Sequence, residues 1–388
     1  MKNVILPFIL VVLFALNSKA QTATYTNLDY AGNGNSKQML DLYIPSTASA
    51  TNLSPLIIHI HGGAFLMGSK GSSEVPSFAT FYNNGYVCAD INYRLSTDSL
   101  WPAQVYDCKA AVRFLKAHAK QYYIDTCKIA VIGESAGGYL VSMLGTTEGV
   151  ASLEGLHLGN TNVSSRVHAV VDLFGPINFL TMDAEAAVLG FAITTNSATS
   201  PESNLMGAAV QTIPERVALA NPRTYISGDD AAFFISAGSA DMNIPYTQWQ
   251  NFYNALLPVI GTTNAVFELA AGQAHGGSFW HTAAQDGKYL AFVNAKLANG
   301  CNPSEINNPN INNKFNISPN PIHDNLNIEL PENQVFDLYI NNITGQNVMQ
   351  LNNIKDGTEI SLNKLPEGFY FVKAINNKNQ YSTKVLKN

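Results

Sequence analysis

The strongest chemical signal in this chain is a serine set between glycines. Gly133-Glu134-Ser135-Ala136-Gly137 follows a strand-like run at 128–132 and precedes a helical pattern at 139–144. A serine on so sharp a strand-to-helix turn presents its hydroxyl at a helix amino terminus, where the dipole favours developing negative charge. Glycines two residues to either side let strand and helix approach closely. Ser135 is therefore the candidate nucleophile, with a purely structural turn as the alternative. The second signal is His61-Gly62-Gly63-Ala64-Phe65, directly after a strand-like run at 55–60. Acyl transfer passes through a tetrahedral oxyanion, which backbone amides fixed in advance stabilise well. Gly62, Gly63 and Ala136 are the candidate donors. His61 itself reads as a brace for its loop.

A serine alcohol needs a base, and the chain has 8 histidines. With serine, acid and histidine following in that order along the chain, the base should come after the last core strand. His275, in Ala274-His275-Gly276-Gly277, fits; His281 is its rival. The acid that orients the imidazole should sit at an earlier strand end. Asp241, after the run 233–237, is favoured, and Asp172 is the alternative. Phe65, Tyr93, Trp101 and Trp280 lie in loops expected at the active face and are candidate substrate-binding residues. No metal-ligand spacing and no phosphate-binding glycine loop is apparent, so no cofactor or metal is expected.

These residues need a scaffold that brings strand ends together. Short apolar runs rich in β-branched or aromatic residues occur at 56–61, 86–92, 129–133, 167–174, 232–237 and 265–269; 39–44 alternates as a half-buried strand does. Helical patterns lie between them. The clearest is 102–122, where Val105, Cys108, Val112 and Leu115 recur at helical spacing with Lys109, Arg113 and Lys116 opposite. A second helix should begin at Ala136. Strands alternating with helices imply an α/β fold with a mostly parallel sheet, whose functional loops gather at the carboxyl ends of the strands. An insertion at about 176–225, with Phe179, Leu180, Met182, Phe191 and Met206, should form a small cap.

Beyond about residue 300 the composition changes. Asparagine rises to about one residue in four and helical periodicity vanishes. The polar stretch 299–314 reads as a linker. From 315 to 388, strand candidates at 325–330, 334–340, 346–351, 359–362, 368–375 and 380–386 alternate with turn residues, the pattern of an all-β sandwich. At the other end, Lys2, the apolar run 4–16 and Ser18-Lys19-Ala20 read as a signal peptide over 1–20, leaving 21–298 as the catalytic domain. The net charge is −6, with 22 Lys and Arg against 28 Asp and Glu. No basic surplus exists to neutralise phosphates, which argues against a nucleic-acid partner. No segment of the mature chain reads as a membrane helix. Of 4 cysteines, Cys127 and Cys301 should both fall at the bottom of the sheet, where a disulfide can be hypothesised. Cys88 and Cys108 read as core thiols.

Taken together, HGGAF, NYRL at 92–95, GESAGG, the D-x-x-I-P segment at 241–245 and HGGSF at 275–279 resemble α/β-hydrolase esterases of the hormone-sensitive-lipase and carboxylesterase type. They resemble above all the branch described as feruloyl- and acetyl-xylan-esterase-like, and 200–207 (SPESNLMG) is similar to that branch's insertion. The resemblance spans roughly 25 to 298. It implies a serine carboxylic-ester hydrolase, acting through an acyl-enzyme on short acyl or aromatic esters such as those of plant polysaccharides. Polyester or lipid-ester cleavage, a serine peptidase and a non-catalytic binding protein are the alternatives. The tail, with Ser318-Pro319-Asn320-Pro321, ITGQ at 343–346 and LPEGFYF at 365–371, resembles the type A sorting domain of type IX secretion. That implies secretion machinery as a partner and an extracellular or outer-membrane-surface location. A carbohydrate-binding sandwich is the competing reading.

Overall fold

A computed structural model describes residues 22–71, 77–298, 300, 315–319, 321–330, 334–342, 347–376 and 380–387. The expected signal peptide and, apart from Gly300, the expected linker lie outside the described residues.

Eight strands make the larger sheet: β1 (Tyr25–Asp29), β2 (Met39–Tyr43), β3 (Ser54–Ile60), β4 (Val87–Ile91), β5 (Ile124–Glu134), β6 (Ala169–Leu173), β7 (Ala232–Gly238) and β8 (Ala265–Ala270). Their order is β1-β2-β4-β3-β5-β6-β7-β8. The pairs from β4 to β8 are parallel, while β2 runs antiparallel to β4 and β1 antiparallel to β2. Strands covered on both faces need apolar side chains on both, which is why β4, β6 and β7 are buried at every position.

The helices are α1 (Ser77–Asn83), α2 (Ala103–Ala117), α3 (Ala119–Tyr122), α4 (Ala136–Thr146), α5 (Met182–Val188), α6 (Pro201–Met206), α7 (Pro214–Leu219), α8 (Thr247–Ile260) and α9 (Ala283–Leu297). The pattern at 102–122 is two helices. His118 leaves helical geometry between them, and its ring bonds the Phe114 carbonyl at 2.8 Å. The charged side of α2 does not face water. Lys109 and Arg113 are buried beneath 147–160, where Lys109 Nζ donates to Glu154 at 2.6 Å and Arg113 donates to the carbonyls of Glu154 and Gly155. Buried cations persist only where such partners meet them. In the insertion, α5, α6 and α7 bury Met182, Met206 and Val217, and Phe179 is buried ahead of them.

Three further departures from the sequence reading have local causes. β1 gave no signal because its residues are exposed or half-buried, without alternation. β5 begins five residues ahead of the apolar run, since its amino end extends past the packed core as Asp125-Thr126-Cys127-Lys128. The tail adds one short strand to the six expected. Its strands are β9 (Asn316–Ser318), β10 (Asn325–Glu329), β11 (Phe336–Asn342), β12 (Asn347–Ile354), β13 (Thr358–Ser361), β14 (Gly368–Ile375) and β15 (Gln380–Lys387). They form a β13-β10-β9 sheet and a β12-β11-β14-β15 sheet, antiparallel throughout, around a separate core that includes Leu326, Leu338 and Val372. Cys88 and Cys108 are free and buried. Cys127 is disulfide-bonded, and its expected partner Cys301 lies outside the described residues.

Candidate active site

Ser135 occupies the single residue between β5 and α4, at φ 52° and ψ −117°. Such a backbone costs about 1–3 kcal/mol for a residue with a side chain, so the surroundings must hold it. They do so by closeness: a Cβ on Gly137 would lie 1.9 Å from the Ile60 carbonyl oxygen. The Ser135 amide donates to the Leu173 carbonyl of β6 at 2.8 Å, tying the turn to the sheet. That amide is thus occupied, whereas the Ala136 amide, first in α4, has no partner within its helix.

Beyond β3 the chain turns through Gly62 and Gly63. Gly63 has φ 113°, and a Cβ there would meet the Met67 carbonyl at 2.2 Å, so only glycine fits. Among the described residues no hydrogen bond engages the amides of Gly62 or Gly63. His61 does brace this loop. Its Nδ1 bonds the Gly62 carbonyl at 2.7 Å and its ring stacks on Tyr93 at 4.3 Å. Burial pushes its pKa down.

His275 reaches the serine from the loop after β8. Its Nε2 lies 2.9 Å from Ser135 Oγ and its Nδ1 2.7 Å from Asp241 Oδ2. A carboxylate accepts, so Nδ1–H donates to Asp241 and Nε2 is left to accept the serine proton. Asp241 follows β7. Its other oxygen accepts from the amides of Asn243 at 2.8 Å and Ile244 at 2.9 Å, which fixes the carboxylate in a nearly buried position. The Phe174 ring packs on the imidazole, centroids 4.8 Å apart.

The two alternatives from the sequence stand elsewhere. Asp172 is fully buried below α4, where it accepts from Ser142 Oγ at 2.7 Å and the Gly175 amide at 2.9 Å. Burial raises its carboxyl to about 7. His281 lines the cleft without bonding Ser135.

Ser135 and His275 are shared by two chambers. The larger, of about 800 Å³, is bounded by Gly62, Gly63, Met67, Glu134, Ser278 and His281. The smaller, of about 410 Å³, is bounded by Phe65, Ala136, Pro176, Ile193, Glu202 and Met242. Of the four aromatic residues offered as substrate contacts, only Phe65 borders a chamber. Tyr93 is buried and donates its hydroxyl to the His61 carbonyl at 3.0 Å. Trp101 is buried beside the cap, its backbone bonded to Leu205 and Arg216. Trp280 is fully buried against Phe174 and donates to the Gly276 carbonyl at 3.0 Å. Large rings near an active face are used here to fill the supports of the loops.

Sequence reasoning passed over Glu134, His59 and Asp90, which form a second buried constellation under the serine turn. The only signal was a set of charged or polar residues inside otherwise apolar strands.

A sheet of this order, with a serine turn after a central strand, defines an α/β-hydrolase. Residues 40–256 match the BD-FAE family, and the chain belongs to it. Residues 316–388 match the family described as secretion system C-terminal sorting domain. The chain is 28% identical to the probable carboxylic ester hydrolase LipM of Mycobacterium tuberculosis, over 68% of this chain and 60% of LipM. Esterase LipQ of the same organism is 24% identical over 61% of this chain and 54% of its own. The chain therefore spans little more than half the length of these relatives. A truncated carbohydrate esterase from gut microbiota superposes with a TM-score of 0.65 at 28% identity, covering 72% of this chain and 98% of that one. A bifunctional GH43-CE protein of Bacteroides eggerthii gives 0.62 at 31% identity, over 70% and 35%.

Proposed function

We propose that the protein is a serine carboxylic-ester hydrolase exported through its C-terminal domain. The observation that carries this reading is one imidazole, His275, bonded to Ser135 on one side and Asp241 on the other, at the junction of two chambers. In this reading His275 takes the Ser135 proton as Oγ attacks the ester carbonyl. The amides of Gly62, Gly63 and Ala136 receive the oxyanion, and the alcohol leaves with the proton from His275. Water, deprotonated by the same imidazole, then cleaves the acyl-enzyme. Asp241 keeps Nδ1 protonated and stabilises the imidazolium.

For the substrate we propose acyl or aromatic esters on polysaccharide hydroxyls, such as acetyl or feruloyl groups. Two features support it: Ser278 and His281 set polar groups into the otherwise mainly apolar wall of the larger chamber, where a hydroxyl-rich alcohol could meet them, and a structural relative is described as a carbohydrate esterase. The sorting-domain match supports passage through a type IX system to the cell surface or beyond. We assign 1–20 as its leader and 299–314 as the linker between 21–298 and 315–388. No described helix is long and apolar enough to cross a membrane.

The test is turnover of 4-nitrophenyl acetate, acetylated xylan, methyl ferulate and a polyester film by the purified protein. Release of acetate or ferulate from the polysaccharide-type esters at a kcat/KM at least matching the aryl ester is expected. Cleavage of the film or aryl ester alone would contradict the substrate assignment, and no turnover of any of them would contradict the enzyme.

A further inference from the structure

His59 lies on β3 between two acidic neighbours. In the parallel register it stands opposite Asp90 of β4 and Ile132 of β5, which puts Glu134, two residues on, on the same face as His59. Its Nδ1 is 2.8 Å from Asp90 Oδ1 and its Nε2 2.8 Å from Glu134 Oε2. All three residues are almost fully buried, at 2%, 1% and 4% exposure. Asp90 Oδ2 also accepts the Gly71 amide at 2.5 Å, beyond the oxyanion turn. Phe78 of α1 closes the face over the imidazole, edge-on at 5.8 Å.

Each end of this bridge sits next to the chemistry. Glu134 immediately precedes Ser135, and His59 is three residues before Gly62. We propose that Asp90, His59 and Glu134 form a strut of positioning residues that sets the distance between the oxyanion amides and the Ser135 hydroxyl. The proposal rests on the serine-hydrolase reading above.

The chemistry of the three groups suits a fixed spacer. Both ring nitrogens face carboxylates, so a doubly protonated ring satisfies both contacts at once. Burial by itself would push the His59 pKa down, but Glu134 and Asp90 together hold it well above the usual range. His61, just past the end of the same strand, is among the groups whose pKa the His59 charge lowers. A neutral ring could donate at only one end and would leave the other to repulsion between lone pairs. The charged ring therefore locks β4, β3 and β5 at the level where the oxyanion donors must lie within a few tenths of an ångström of their working positions.

The experiment compares Ser135→Ala, His59→Ala, Glu134→Ala and Glu134→Gln in the full chain. Readouts are kcat, KM, thermal unfolding and affinity for an aryl trifluoromethyl ketone, which becomes an oxyanion when serine adds to it. His59→Ala and Glu134→Ala should lower kcat by about 30- to 100-fold, the effect of a small misplacement. KM should stay within about threefold, and ketone affinity should fall in parallel with kcat. Glu134→Gln keeps an acceptor for the ring and should stay within about fivefold of the parent. Should Glu134→Ala not fold, His59→Gln, which can span only one of the two contacts, should lose about tenfold in kcat. Folded His59→Ala with normal kcat and ketone affinity, or a change confined to KM, would overturn the strut. So would Glu134→Gln as impaired as Glu134→Ala. Turnover surviving in Ser135→Ala would instead overturn the hydrolase reading, whatever the strut variants do.

Discussion

Two histidines are bridged in similar fashion, His59 on β3 and His275 on the loop after β8, and they differ in what stands at one end. His275 runs from Asp241 to a hydroxyl; His59 runs from Asp90 to a second carboxylate. Distances are nearly equal, between 2.7 and 2.9 Å. The surroundings are not: the His275 side chain is 17% exposed and opens on the cleft, while that of His59 is 3% exposed and roofed by Phe78. Between carboxylate and alcohol, an imidazole can take a proton and give it back. Between two carboxylates it keeps one. In the proposed reading, the same three-group geometry serves proton transfer in one place and fixed spacing in the other, and the end group decides which.

The two histidines should part most widely on a change at Asp241. Asp241→Asn should lower kcat by about a thousand- to ten-thousand-fold, because an amide that donates to Nδ1 leaves Nε2 protonated and unable to accept. Steady-state kinetics on an aryl ester checks this, and a loss below tenfold would remove the distinction between the two histidines. Gly62→Ala should come next. Its Cβ would lie 2.9 Å from the Glu134 carbonyl oxygen, so the turn must shift and one donor is displaced. A fall of about a hundred- to a thousand-fold in kcat is expected, with KM little changed. The strut variants of His59 and Glu134 follow, at one to two orders of magnitude.

The smallest effect concerns stability. Asp172 has its carboxyl raised by burial to about 7, above the value of 3.8 for a free group. The folded state therefore binds a proton that the unfolded state has released between those values. Stability contributed by this group is full below about pH 4 and is lost as pH rises to about 7. Asp172→Asn should remove that slope, gaining up to about 4 kcal/mol at pH 8 relative to pH 4. Denaturant titrations at the two pH values measure it; parallel pH dependence in parent and variant would show that Asp172 is charged in the fold.

The sequence made some of this plain and hid the rest for physical reasons. Ser135, Gly62 and His275 were visible because glycine-flanked turns after apolar strands leave a local signature. The order of the parallel strands was not, since it depends on which buried faces meet. For that reason His59, Asp90 and Glu134 could not be joined: each lies on a different strand, and only the register brings them together. Tyr93, Trp101 and Trp280 misled in the other direction. Their loops do surround the active face, but the rings point into the supports, where large apolar area is worth most. β1 left no trace, because an exposed edge strand has no core-facing alternation to read.

Everything proposed for the site requires that the Ser135 hydroxyl be the nucleophile and His275 its base. Incubating the protein with paraoxon, digesting it and sequencing the peptides by mass spectrometry tests this directly. One diethylphosphoryl group on Ser135, formed as esterase activity disappears and formed far more slowly in His275→Ala, is the predicted result. Activity lost with Ser135 unmodified, or Ser135 fully phosphorylated with activity intact, would contradict it.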